Sequence, residues 1–206
     1  MMKRITLFLS LLLFVLFFSG FTKEKNTAAF KLFNPKVLSS VPTEEESINN
    51  NFTIPFVGKS YNGFREAIAF KESQGKYHIV NTLGYLGKYQ FGKSTLKRFN
   101  IHNTNQFLNN PELQEEAFLA LCSLNKWILR RDIKRNVGRK INGITVTESG
   151  ILAAAHLAGA GNVKKYLRSS GTYRFKDAYG SSIQQYLKEF AGYDTSFIEA
   201  SKKPVV

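Results

Sequence analysis

The segment that most constrains the fold of this chain is an apolar helix pattern over residues 151–158, which are almost wholly apolar. Residues 145–148, Thr-Val-Thr-Glu, resemble a capping box in which Glu148 serves the cap. Residues 159–161, Gly-Ala-Gly, then end the helix. A helix that is apolar on every side has to be buried. The pattern therefore predicts a mainly α-helical domain packed around this segment.

A second helix signal follows Asn110. Asn110 is a typical cap, Pro111 suits the first helical position, and Glu112, Glu115 and Glu116 lie near the positive end of the helix dipole. These three acids are therefore interpreted as structural. The only cysteine, Cys122, lies within this helix pattern, which rules out an internal disulfide and favours a small core residue over a nucleophile.

Length and charge limit the class of protein. With 206 residues the chain can form one domain with a sizeable core, and 43% hydrophobic residues favour a folded protein. A formal net charge of +14 is compatible with nucleic acid, anionic lipid or an acidic cell-wall polymer as partner. Neither a metal-ligand cluster nor a phosphate-binding loop stands out in the sequence, so we expect no metal and no cofactor.

The N-terminal residues resemble an export signal. Residues 1–20 combine a basic start with an apolar run too short for a comfortable membrane span, which predicts a signal peptide or an N-terminal anchor. A polar tether is predicted over 21–59, one domain over 60–195 and a frayed tail over 196–206. We therefore expect an exported protein of the periplasm or cell envelope, with a membrane tether through residues 1–20 as one alternative. Export argues against a nucleic-acid partner.

Glu72 is the candidate catalytic residue. Phe64, Ala67, Ile68 and Glu72 share one helical arc, so Glu72 lies at the end of an apolar face. Burial discourages ionisation, and a protonated carboxyl is what a general acid needs. The alternative to a catalytic role is that Glu72 is a solvated carboxylate at a helix end. Residues 73–111 contain no Asp or Glu, so this part of the chain offers no second carboxylate of the kind that ordinary glycosidases use.

A loop rich in Gly, Tyr and Asn follows, over residues 76–92. It predicts a small irregular or hairpin region. Its tyrosines, including Tyr77 and Tyr89, suit a sugar ring, but composition alone favours a twisted hairpin whose tyrosines pack on the core. His156, alone in its apolar helix, is by pattern more typical of a core histidine than of a catalyst.

Three motifs in order resemble the lytic transglycosylases of the lysozyme-like superfamily. Glu72-Ser73 matches the catalytic Glu-Ser pair of that family. Residues 84–91 are similar to its Gly-x-x-Gly-Leu-Met-Gln-Ile segment, with Gly87 and Gln90 in register, and residues 156–163 are similar to its Tyr-Asn-Ala-Gly-x-Gly-Asn-Val segment. The motifs span most of the predicted domain. The resemblance implies a lysozyme-like fold.

The resemblance also implies a chemistry and a set of substrate-binding residues. In this family one Glu protonates the glycosidic oxygen and then acts as base on the muramoyl C6 hydroxyl, which closes a 1,6-anhydro ring. Glu72 would be that residue. The substrate would be the glycan strands of peptidoglycan, and the protein would act as a monomer. The implied substrate-binding residues are Ser73, Tyr77, Gly87, Tyr89, Gln90, His156, Gly159 and Asn162.

The sequence departs from the family in its second and third motifs, and Gly92 stands near where a Pro often follows the second motif. Lys88-Tyr89 stands where Leu-Met is usual, and His156-Leu157 replaces Tyr-Asn, so the polar contact of the third motif is either lost or passed to His156. Two alternatives therefore remain beside the transglycosylase: a hydrolytic lysozyme of the same fold, and a non-catalytic peptidoglycan-binding module. A third alternative, a nucleic-acid-binding protein, is supported by the net charge alone.

Overall fold

The computed structural model describes residues 58–206. The predicted signal peptide or anchor over 1–20, and the part of the predicted tether over 21–57, lie outside the described residues. Lys59, at the end of that tether, already contacts the domain, because its carbonyl accepts a hydrogen bond from the Asp194 backbone N–H at 2.6 Å.

The described part of the chain is mainly α-helical, as predicted, and contains seven helices and one small sheet. The helices are α1 (Tyr61–Ser73), α2 (Lys93–Arg98), α3 (Thr104–Leu108), α4 (Pro111–Asn136), α5 (Glu148–Ala158), α6 (Ala160–Arg168) and α7 (Ile183–Glu189). Strands β1 (Lys140–Ile141) and β2 (Ile144–Thr145) pair antiparallel, with Lys140 opposite Thr145. Among residues 58–206, none of the helices has the length and apolar character needed to cross a bilayer.

The apolar segment forms α5, the buried centre of the domain. Every residue from 149 to 155 is buried, and α5 packs against α4, α6 and α7. Gly150 lets α7 approach closely, because a Cβ at this position would lie 2.7 Å from the Leu187 carbonyl oxygen. A larger residue at position 150 would force the two helices apart.

The cap of α5 differs from the predicted capping box. Thr145 lies in β2, and Thr147 is the cap, with its side chain accepting a hydrogen bond from the Gly150 N–H at 3.1 Å. Glu148 takes no part in a box of this kind, since its Oε1 pairs with Lys126 Nζ at 2.7 Å and accepts a hydrogen bond from the Thr195 hydroxyl. The strand β2 carries the chain into the helix two residues later than the sequence pattern indicated.

The longest helix, α4, begins where the sequence predicted. Asn110 accepts a hydrogen bond from the Leu113 N–H at 3.0 Å, and Pro111 is the first helical residue. Cys122 is buried in the core, and burial raises the pKa of its thiol well above the usual range. The thiol is therefore a packing group, as predicted.

The C-terminal segment packs on the domain, whereas the sequence predicted a frayed tail. Ile198 is buried, and the Ser201 N–H donates a hydrogen bond to the Ser123 carbonyl at 3.2 Å. Val206 packs against a small apolar cluster that contains Phe99 and Leu124. Burial of these scattered apolar residues outweighs the lack of a helical pattern in the segment.

Candidate active site

The helix α1 places Glu72 at the edge of the core. Phe64 and Ile68 on the same face are fully buried, and Glu72 is half-buried one turn further along. The helix ends after Ser73, because Gln74 adopts a left-handed conformation with φ 58°. A carboxyl group therefore stands at the point where the apolar face of α1 meets an opening in the surface.

Tyr186 on α7 is the hydrogen-bond partner of Glu72. Its hydroxyl donates to Glu72 Oε1 at 2.9 Å, and the tyrosine is only 2% exposed. Burial, and then the negative charge of Glu72, raise the pKa of Tyr186 far above its usual range. Tyr186 therefore stays protonated and remains a donor, which holds the carboxyl in one orientation.

A small cavity of about 120 Å³, called here the Glu72 pocket, opens beside this carboxyl. Its lining is rich in polar and aromatic side chains and comprises Glu72, Asn81, Leu83, Tyr85, Gln90, His156, Leu157, Asp177, Ala178 and Tyr179. The hydroxyls of Thr82 and Tyr179 lie 3.1 Å apart and join the two loops that border the pocket. Polar and aromatic groups around a carboxyl suit a sugar ring.

A larger cavity of about 930 Å³, called here the long groove, continues from the Glu72 pocket. The two cavities share five lining residues, namely Leu83, Tyr85, Gln90, His156 and Leu157. The rest of the groove runs between α2, α4, α5 and the start of α6. Its volume is near the upper end of the range for ligand pockets, which suits an extended ligand.

The three sequence motifs meet at these cavities. Glu72 comes from the first motif, Gln90 from the second and His156 from the third, and all three line the Glu72 pocket. Gly159 lines the long groove. The backbone of Gln90 has φ 51°, a left-handed conformation that is costly for a residue other than Gly, and its side chain donates to the Gly87 carbonyl at 2.8 Å. This local turn brings Gln90 to the cavity.

Five other predicted substrate-binding residues line neither cavity, and Ser73, Gly87 and Asn162 are three of them. Ser73 is buried, and its hydroxyl donates to the Lys88 carbonyl at 2.7 Å, which ties the end of α1 to the loop. Gly87 has φ 73°, and a Cβ there would overlap the side-chain amide of Gln114. Asn162 donates to the Ala158 carbonyl and accepts a hydrogen bond from Tyr173, both at 2.9 Å. Each of the three has a structural contact where the resemblance implied a ligand contact.

The predicted residues Tyr77 and Tyr89 belong to a set of polar contacts behind the loop, called here the Lys88 cluster. Lys88 is 4% exposed, and its Nζ donates to Glu66 and Glu115 at 2.8 Å and to the Tyr77 hydroxyl at 3.1 Å. The Tyr89 hydroxyl donates to the other oxygen of Glu115. These tyrosines therefore pack inward, which agrees with the core alternative and not with stacking on a sugar.

The Lys88 cluster determines the charge state of Glu115. Burial alone would raise the pKa of this carboxyl, but hydrogen bonds from Lys88, Tyr89 and Tyr77 outweigh it and hold the pKa below the ordinary value. Burial likewise opposes the charge on Lys88, and its two carboxylate partners hold the pKa of the lysine above the usual value. The sequence assigned Glu115 to the helix dipole only, and missed this cluster, because its members come from three separate segments.

His156 contacts the loop and not the carboxyl group of Glu72. Its Nε2 lies 2.9 Å from the Tyr89 carbonyl oxygen, so Nε2 carries the proton, since a carbonyl only accepts. Its Nδ1 is buried and has no hydrogen-bond partner within the described residues. The ring also packs edge-on against Phe91, with centroids 6.0 Å apart. His156 therefore orients the segment that carries Gln90.

The structure adds a carboxylate that the sequence argument did not include. Asp177 lines the Glu72 pocket, and its Oδ1 accepts hydrogen bonds from the backbone N–H groups of Tyr179 and Ser181 at 3.0 and 2.6 Å. The acid-free stretch in the sequence covers only residues 73–111, so it says nothing about a turn more than a hundred positions away. The Asp-x-x-Gly pattern at 177–180 is typical of a turn, but no spacing rule links such a turn to Glu72.

Residues 58–206 contain no group of three or more His, Cys, Asp or Glu side chains arranged to bind a metal ion. Comparison with known proteins finds no family model, no curated protein and no solved structure that matches this chain.

Proposed function

We propose that this chain is an exported peptidoglycan lytic transglycosylase with a lysozyme-like domain, and that Glu72 is its catalytic acid and base. The observation that carries the proposal is the meeting of Glu72, Gln90 and His156, one residue from each motif, around a single pocket. The pocket opens into a groove large enough for an extended polymer. The resemblance in sequence and this arrangement in space support the same activity.

The proposed reaction needs one carboxyl group. Glu72 donates its proton to the glycosidic oxygen as the bond from muramoyl C1 to that oxygen breaks. The C6 hydroxyl of the same sugar then attacks C1, and its proton passes to Glu72. A bond between C1 and O6 forms, no water is consumed, and Glu72 is protonated again for the next cycle. Tyr186 keeps the carboxyl aimed at the pocket through the contact at 2.9 Å.

The charge of the protein fits an acidic wall polymer. The whole sequence carries a formal charge of +14, and no Asp or Glu is among the residues that line the long groove. An electropositive surface raises the local concentration of an anionic polymer. In this proposal the chain acts as a monomer at the cell envelope, exported by residues 1–20.

A hydrolytic lysozyme is the second candidate, and Asp177 is the observation that favours it. In a hydrolase with two carboxyl groups, one acts as acid and the other either activates a water or attacks C1. Asp177 lines the same pocket as Glu72 and could take the second role. Its Oδ1 already accepts two backbone hydrogen bonds, so an Asn at this position would retain the turn.

The decisive experiment is digestion of purified sacculi with mass analysis of the products. Wild type should release 1,6-anhydro-muropeptides, and Glu72→Gln should release none while remaining folded. Glu116→Gln is the matched control, because Glu116 is exposed on α4 and lines neither cavity. A Glu72→Gln variant that still cleaves sacculi would refute the assignment.

Asp177→Asn separates the two candidates. A transglycosylase should retain its anhydro products in this variant. A hydrolase that uses Asp177 should lose turnover, and its wild-type products should be one water heavier, with a reducing muramic acid. Sacculus binding that persists in Glu72→Gln, with no fragments released by wild type, would identify a non-catalytic binding module instead.

A further inference from the structure

The long groove changes chemistry away from the Glu72 pocket. The part that the two cavities share presents polar and aromatic groups, including Tyr85 and Gln90. The remaining part presents an aliphatic floor from α4, formed by Leu121, Leu124 and Ile128. Sugar rings are usually bound by aromatic faces and by acids or amides that contact their hydroxyls, so an aliphatic floor without acids suits another kind of group.

Two cations border this part of the groove. Lys93 and Arg98 lie on α2, are exposed, and line the groove. Within residues 58–206 neither makes a hydrogen bond or an ion pair, and no carboxylate lines the groove beside them. Their charges are therefore uncompensated locally and favour an anionic ligand group. An arginine binds a carboxylate with two parallel hydrogen bonds.

Asn125 supplies an unused amide at the same place. It lines the groove from α4, is only 5% exposed, and its side chain makes no hydrogen bond to any described residue. Within the described residues, His156 Nδ1 is the only fully buried side-chain nitrogen or oxygen atom without a hydrogen-bond partner, so the Asn125 amide is open to the groove and available to a ligand. A ligand that offers both an N–H and a C=O would satisfy the Asn125 side chain, and a peptide bond offers both.

We infer that this part of the long groove binds an acidic peptide attached to the glycan, so that the protein selects peptide-bearing strands over bare ones. The inference rests on the proposed function and adds the substrate class. The aliphatic floor contacts the alkyl side chains of the peptide, Asn125 binds a peptide bond, and Lys93 and Arg98 bind carboxylates. A glycan stripped of its peptides offers few of these groups.

Peptide binding can be measured without any cleavage. The probe is a free muropeptide stem with its carboxylates intact, titrated into the full chain by calorimetry, and the comparison probe is the same peptide with its carboxylates amidated. We expect amidation to weaken binding about tenfold. Lys93→Gln/Arg98→Gln should weaken binding of the intact peptide by a similar factor, and should remove the difference between the two peptides.

Two further variants test the alternatives to a specific site. Lys97→Gln removes one charge from the same helix at an exposed position outside the groove, and should bind the intact peptide as wild type does. Asn125→Leu should weaken binding of both peptides without loss of thermal stability, because it removes an amide that makes no hydrogen bond within the described residues. Equal binding by wild type, Lys93→Gln/Arg98→Gln and Asn125→Leu would overturn the inference, and so would equal weakening by Lys97→Gln.

Cleavage provides the second readout. On intact sacculi and on strands stripped by an amidase, wild type should show a higher kcat/KM for the peptide-bearing strands, and Lys93→Gln/Arg98→Gln should reduce that ratio towards one. A ratio near one in wild type would overturn the inference and leave the catalytic proposal standing. Cleavage that survives Glu72→Gln would instead refute the catalytic proposal, whatever the peptide titrations show.

Discussion

The hydroxyl of Tyr186 donates a hydrogen bond to Glu72 Oε1 at 2.9 Å, although the two residues are 114 positions apart in the chain. α1 carries the carboxyl group and α7 carries the hydroxyl. The contact therefore exists only when these two helices have assembled around the core. Because this contact lies beside the Glu72 pocket, removing the Tyr186 hydroxyl tests directly whether it orients the Glu72 carboxyl.

Tyr186→Phe should lower activity more than stability. The change removes the hydroxyl and keeps the ring, so Glu72 loses the donor that orients it. We expect kcat on peptidoglycan to fall about tenfold, and the free energy of unfolding in urea to fall by about 1 kcal/mol. Tyr166→Phe is the control, since Tyr166 is also buried, interacts with Asn142, and lines neither cavity. Equal activity of the two variants would contradict the orienting role.

His156 should act by positioning the loop. His156→Leu leaves the Tyr89 carbonyl without its donor, so we expect a loss of about 1 to 2 kcal/mol in unfolding free energy and a raised KM, because Gln90 follows Tyr89 directly. His156→Gln retains an N–H donor and should recover part of both losses. If His156→Gln were fully inactive while its stability matched wild type, the histidine would have a chemical role and not a positioning one. Steady-state kinetics and urea denaturation provide the two readouts.

The stabilising contribution of Glu115 should be lost in acid, when its carboxylate is protonated. Its folded pKa lies below the ordinary value of 4.5, because the hydrogen bonds from Lys88 and the two tyrosines outweigh the effect of burial. The stabilisation is therefore complete above about pH 4.5 and is lost as the pH falls through the lower folded value. Glu115→Gln should show a shallower loss of unfolding free energy below pH 4.5 than wild type, measured by urea denaturation at each pH. Glu116→Gln, exposed on the same helix, should retain the wild-type pH dependence.

Ala substitutions at Gly87 and Gly84 give a matched comparison of packing in the loop. Both have positive φ, 73° and 80°, but a Cβ at Gly87 would overlap the Gln114 side chain, whereas a Cβ at Gly84 meets nothing within 4 Å. Gly84→Ala should cost about 1 kcal/mol from backbone conformation alone. Gly87→Ala should cost about 3 kcal/mol, because Gln114 would also lose its hydrogen bond to the Lys88 N–H. Equal thermal stability of the two variants would contradict the proposed packing of Gln114 under the loop.

The local features of the helices were readable from the sequence. The apolar segment at 151–158 predicted the buried helix α5, and Asn110-Pro111 predicted the start of α4. Both predictions are confirmed, because periodicity and capping depend on residues within one or two turns of each other. The placement of Glu72 at the end of the apolar face of α1 is confirmed for the same reason.

The tails and caps show where local patterns fail. Residues 196–206 have no helical period, yet Ile198 is buried, since burial depends on the surface that the segment meets. The capping box at 145–148 was misplaced, because the pairing of β1 with β2 takes Thr145 out of the helix start. In both cases a partner elsewhere in the chain overrides the local preference.

By itself, the sequence determined the mainly helical class, the buried position of α5 and the carboxyl group at the end of α1. Only the tertiary structure decided that Tyr186 donates to Glu72, that Asp177 lines the same pocket, and that Tyr77 and Tyr89 donate hydrogen bonds to Glu115. The physical reason is that helix periodicity and capping involve neighbouring residues, whereas these contacts join residues 26 to 114 positions apart and depend on how whole helices pack.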